Sequence, residues 1–190
     1  MTQMVIGSFL NSNNANEAVK HLKDLGLNPK DVSVMAKDGI LRQEVMENGG
    51  NKAVEGTVTG VTTGGLVGGL AGLLIGIGAV TIPGVGAVLI GGPLAVALGL
   101  TGAAATAVSG AVTGALAGGL VGSLVGLGVP EQEARVYEDK INTGSIVLLV
   151  PAPQNKTASI ENELLDHGAE DIKIIDIPQE TAKGKWRFLN

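Results

Sequence analysis

The side chains best suited to proton transfer or metal ligation near neutral pH are two histidines, His21 and His167. They stand far apart in the chain, each on a predicted exposed helix face or end. Read singly, each is a solvated imidazole, and a paired site is the alternative. Glu131, Glu133, Glu138 and Asp139 gather in one short stretch. The first two suit the positive end of a helix without any catalytic duty, and a cation site is the weaker reading. There are no cysteines, so thiolate nucleophiles, disulfides and cysteine-based metal sites are excluded. Gly64-Gly65 and Gly84-Val85-Gly86 lack the following Lys-Ser/Thr or ribose-binding acid that phosphate cradles need. No Ser/His/Asp arrangement emerges. The residues therefore predict a chain that is not an enzyme, with no catalytic residues, no metal centre and no cofactor.

Charge divides the chain more sharply than any motif. The formal net charge of -5 argues against nucleic acid as a partner, because phosphate binding needs a basic patch. Residues 56–130 contain no Asp, Glu, Lys, Arg or His, no aromatic side chain, and most of the 30 glycines. All the charge lies in the flanks. Three parts follow: an N-terminal βαβ half at 1–55, an uncharged insert at 56–129, and a connecting helix with a C-terminal βαβ half at 130–190.

The flanks read as two halves of one small α+β domain. Residues 4–10 form a strand by their apolar and β-branched content. Asn13 to Asn16 offer N-caps for a helix carrying Ala15, Val19, Leu22 and Leu25 at helical spacing. Gly26 stands where such a helix stops. Val32 and Val34 mark a second strand. The pattern returns downstream: a strand at 145–150, a helix at 157–167 with Ile160, Leu164 and Leu165 on its apolar face, a stop at Gly168, and a strand at 171–177. Asp24-Leu25-Gly26 is echoed by Asp166-His167-Gly168. Two βαβ units predict a ferredoxin-like split βαβ sheet, with the insert leaving where its second and third strands meet. A further helix at 130–141 opens with Pro130, whose fixed φ suits a first turn.

In the insert, glycine recurs at every fourth position, at Gly56, Gly60, Gly64, Gly68, Gly72 and Gly76, and again at Gly110, Gly114, Gly118, Gly122 and Gly126. Small residues at this spacing clear a stripe on a helix and let two backbones approach closely. Six glycines in one helix cost roughly 6 kcal/mol in propensity, so a bilayer or a dry protein interior must enforce the helix. A helix over 56–80 would be about 37 Å long, against a hydrocarbon core of about 30 Å. The expectation is a glycine-zipper helical hairpin, broken near Pro83-Gly84 and Gly91-Gly92-Pro93, that self-associates with lipid as its medium. Residues 1–10 are too short and too polar in continuation for a secretory signal, so both termini are expected on the cytoplasmic side. A large assembly with the zippered helices as its core, a pore, and a ligand-sensing module are the alternatives. In the tail, Lys183, Lys185 and Arg187 alternate with Trp186 and Phe188, a composition suited to a membrane interface or to docking on the domain through the aromatics.

The order of these parts resembles a family of bacterial stress proteins. The resemblance rests on the VIGSF strand at 5–9, on IPGVGAVLIGGPLAVAL at 82–98, and on LVGLGVPEQEARVYEDKINTGSIVLLV at 124–150. Proteins of this kind are described as heat- or general-stress-induced, or as membrane-associated. The resemblance implies a stress-linked setting and no catalytic residues.

Overall fold

The structure is a computed structural model, and it describes residues 2–28, 31–37, 39–40, 78–82, 86–94 and 119–177. The described elements run β1 (Thr2–Phe9), α1 (Ser12–Asp24), β2 (Ser33–Lys37), β3 (Gly78–Ile82), β4 (Gly86–Gly91), α2 (Gly119–Val125), α3 (Glu131–Asn142), β5 (Ile146–Pro153), α4 (Thr157–Asp166) and β6 (Glu170–Asp176). The fold is α+β. Its strands form a six-stranded sheet in the order β3-β4-β2-β5-β1-β6, and every neighbouring pair is antiparallel.

Local chemistry accounts for the flanking elements. Helix α1 starts just before the expected caps at Asn13 to Asn16: Asn11, two residues before Asn13, is the N-cap, and its side chain accepts from the Asn14 N–H at 2.9 Å. Asn at this position satisfies a donor that the first turn leaves free. The expected stop at Gly26 is present, with φ of 76°, Gly26 N–H donating to Lys23 and Leu27 N–H to Leu22. Gly168 closes α4 in the same way, with φ of 79° and Ala169 N–H donating to Leu164. A left-handed residue after the last turn costs glycine nothing and ties up the final carbonyls.

Strand alternation places successive side chains on opposite faces of the sheet, and both faces are covered. On one face Val5, Phe9, Val34, Ile146, Leu148 and Val150 pack with Ala15, Val19 and Leu22 of α1 and with Ile160 and Leu164 of α4. On the other, Met4, Ile6, Met35, Val147 and Leu149 pack with Leu120 and Leu124 of α2 and with Ala134, Tyr137 and Ile141 of α3. This is why the β5 sequence reads as an unbroken apolar run rather than an alternating one. The expected connecting helix is thus half of a second helical layer.

The structure corrects the expected helical insert at residues 78–82 and 86–91. These form the hairpin β3–β4, with Gly78 opposite Ile90 and Ile82 opposite Gly86. Strand β4 continues the sheet beyond β2, pairing Val34 with Gly91 and Lys37 with Val88. The physical reason lies in the residues. Val80, Thr81, Ile82, Val88 and Ile90 are β-branched and favour a pleated, buried surface. Val88 and Ile90 are buried in the same cluster as Met35. Beyond the hairpin, Gly92 adopts φ of 79° against the backbone of Val32 and Ser33, and the Leu94 N–H donates to the buried Ser33 Oγ at 3.0 Å.

Candidate functional site

Helices α1 and α4 lie side by side on one face of the sheet and run antiparallel. At one end, Lys156 Nζ donates to the Leu25 carbonyl at the close of α1, at 2.7 Å. At the other, the Asn14 side chain sits against Gly168, its Nδ2 3.0 Å from where a Cβ would be. Ala15, Ala18 and Leu22 of α1 and Ile160 and Leu164 of α4 are buried beneath this seam, which fixes both helices on the sheet and leaves the seam itself facing outward.

The two histidines meet there. Glu163 and His167 are one helical turn apart on α4 and its C-cap, a spacing that puts both on one face. His167 Nε2 lies 3.0 Å from Glu163 Oε1. His21, from the last turn of α1, reaches across with Nδ1 3.3 Å from the same carboxylate oxygen. The imidazole rings are 4.6 Å apart at their centroids, with planes inclined by 62°. The side chains of Glu163 and His167 are each 21% exposed and that of His21 is 51% exposed. The cluster is therefore partly sheltered, with one open side.

Glu17 stands one turn before His21 and donates nothing to the core: it pairs with Lys20 at 2.7 Å. Its carboxyl is held below the usual range chiefly by the hydrogen bond from Lys20, with the charges of Lys20, His21 and His167 adding to it. Each helix thus carries Glu-x-x-x-His, Glu17 to His21 and Glu163 to His167. That repeat was the signal available in the sequence. Reading each histidine singly as a solvated surface group missed it, because antiparallel packing of the two helices is what superposes the motifs.

Chemically, two imidazole nitrogens and a carboxylate oxygen converging within 4.8 Å of one another can share protons or hold a cation. Glu131, Glu133, Glu138 and Asp139 do not converge in this way. Glu131 pairs with Arg135 at 2.6 Å and Glu133 with Lys173 at 2.8 Å. These are ion pairs on and beside the surface of α3. A shallow groove of about 210 Å³ is lined by Gln132, Glu133, Val136, Tyr137, Asp171 and Lys173. Its Tyr137 hydroxyl donates to the Asp171 carbonyl at 2.6 Å, and burial pushes that hydroxyl well above the usual tyrosine range, so it serves packing rather than proton transfer.

Of the expected helix-packing residues, Gly122 lies in α2 and is half-buried, and Gly126 follows α2 and is exposed. The α2 stretch packs through Leu120 and Leu124 onto the sheet core. Gly56, Gly60, Gly64, Gly68, Gly72, Gly76, Gly110, Gly114 and Gly118 lie outside the described residues, as do the tail residues Lys183, Lys185, Trp186, Arg187 and Phe188. Among the described residues, no helix is long and apolar enough to cross a membrane. No family model, no curated protein and no solved structure matches this chain.

Proposed function

We propose that this chain is a non-enzymatic, self-associating structural protein. Its α/β body anchors two glycine-rich segments that pair with the same segments of other copies. One observation carries the reading: the β3–β4 hairpin returns the chain to the sheet between the two glycine rows. The insert is thereby divided. The first row lies in residues 41–77, between Ile40 and β3. The second begins in residues 95–118, between Leu94 and α2, and ends on α2. Each segment starts and finishes on the α/β body.

This anchoring weighs on the choice between lipid and protein as the medium of association. A segment that leaves and rejoins one body must cross a bilayer twice or not at all. Two helical crossings of a core about 30 Å thick need roughly 40 residues. Residues 41–77 come just under that with little left for a turn, and residues 95–118 fall well short. The reading is therefore association through a shared apolar core or at a membrane surface, rather than through spanning helices. The body itself we read as a ferredoxin-like split βαβ, supported by the order β2-β5-β1-β6 and by α1 and α4 sharing one face, widened by the hairpin. The resemblance to stress-induced proteins would set this assembly in a bacterial stress response.

The test is flotation of a native lysate, followed by sizing with and without detergent. A large complex that keeps its size without detergent supports the shared protein core. Flotation reversed by salt supports surface association. Extraction by detergent alone would sink the reading and restore spanning helices, and a monomer throughout would sink self-association.

A further inference from the structure

The seam between α1 and α4 carries a site that is independent of how the chain assembles. We propose that His21, Glu163 and His167 bind a late first-row divalent cation of the Zn²⁺ type, through His21 Nδ1, Glu163 Oε1 and His167 Nε2.

The geometry is near that of a bound ion. With metal–ligand bonds of about 2.0–2.2 Å, neighbouring ligand atoms in a tetrahedral site lie roughly 3.3 Å apart. The carboxylate oxygen already stands 3.3 Å from one ligating nitrogen and 3.0 Å from the other. Two edges of the coordination polyhedron are thus formed, and all three ligand atoms lie within 4.8 Å of one another. Closing the third edge, between the imidazoles, calls for a side-chain rotation, for which the half-exposed His21 has solvent on one side.

The donor set selects the ion. Two imidazoles and one carboxylate suit Zn²⁺, Ni²⁺ and Cu²⁺, whereas Mg²⁺ and Ca²⁺ demand oxygen. Three protein ligands leave a fourth position for water. The position also favours a cation: His167 caps the C-terminus of α4, where the helix end carries partial negative charge. The helices that hold the ligands are seated on the core by Ala18, Leu22, Ile160 and Leu164, all fully buried. The scaffold is therefore rigid while the ligands remain accessible.

The experiment uses the untagged full chain, stripped with a chelator and titrated with Zn²⁺ in competition with a chromophoric chelator. Co²⁺ serves as a spectroscopic probe and Mg²⁺ as the control. The expected result is one Zn²⁺ per chain, unaffected by excess Mg²⁺, with Co²⁺ giving the intense visible bands of tetrahedral coordination. His21→Ala, His167→Ala and Glu163→Gln should each weaken Zn²⁺ binding at least about tenfold. His21→Ala removes an exposed side chain, so it tests ligation without emptying the core, and circular dichroism verifies its fold. No stoichiometric Zn²⁺ binding by the wild-type chain would overturn the proposal. So would binding that all three variants retain.

Discussion

His21 and His167 face each other across two antiparallel helices, 4.6 Å between ring centroids, with Glu163 Oε1 in reach of both. The contact joins the N-terminal half of the body to the C-terminal half. It is held by α1 and α4 packing on one sheet face, since Ala15, Ala18, Ile160 and Leu164 share one buried cluster. A polar contact at the surface contributes at most about 1 kcal/mol to stability by itself. Its interest lies in what the three donors can bind.

On the proposed function, self-association rests on the glycine rows. Gly68→Leu and Gly118→Leu should each fill the stripe that lets two backbones approach and lower the assembly size. Analytical ultracentrifugation of both variants checks this. Unchanged sedimentation in the two variants would remove the rows from the interface.

The hairpin predicts a pattern of amide protection. Strand β4 pairs on both sides, with β3 and β2, whereas among the described residues β3 pairs only with β4. Hydrogen exchange followed by mass spectrometry should find residues 86–91 better protected than 78–82, because fully paired interior strands open least. Equal, rapid exchange over both segments would contradict the sheet.

Gly92 is expected to tolerate no side chain. Its φ is 79°, and a Cβ there would overlap the Val32 carbonyl and stand 2.9 Å from the Ser33 Cα. These are backbone atoms of β2 and its approach, which cannot swing aside. Gly92→Ala should cost at least about 2 kcal/mol, from left-handed strain and the clash together, read as a lower urea midpoint. An unchanged midpoint would show that the exit from β4 is looser than described.

Tyr137 is the single tyrosine of the chain, which makes its titration clean. Burial raises its hydroxyl above the ordinary value of 10.0, and the nearby charges of Glu133 and Asp171 add to the effect. Below about pH 10 the folded and unfolded chains both hold the proton, so the contribution to stability is complete. Above that pH the unfolded chain ionises first, and stability falls as pH rises. Ultraviolet titration should show no tyrosinate until the protein unfolds. Tyr137→Phe should abolish this pH dependence and cost about 1–2 kcal/mol through the lost bond to the Asp171 carbonyl. Tyrosinate appearing near pH 10 in the folded protein would refute the burial.

The sequence by itself determined the elements whose signals are local. Helix stops at Gly26 and Gly168 depend on hydrogen bonds that span only a few residues. The apolar run of β5 and the helical spacing of Ala15, Val19 and Leu22 likewise show in a short window. These gave the α+β class. The tertiary structure alone decided three things. It placed residues 78–82 and 86–91 in the sheet, because β-branched stretches flanked by glycines take their form from the strands they pair with, here each other and β2. It turned α2 and α3 into a second layer, because only the assembled sheet offers an uncovered apolar face to bury. And it brought His21 to Glu163 and His167, because the meeting of two surface motifs depends on how their helices pack, which no local window of sequence contains.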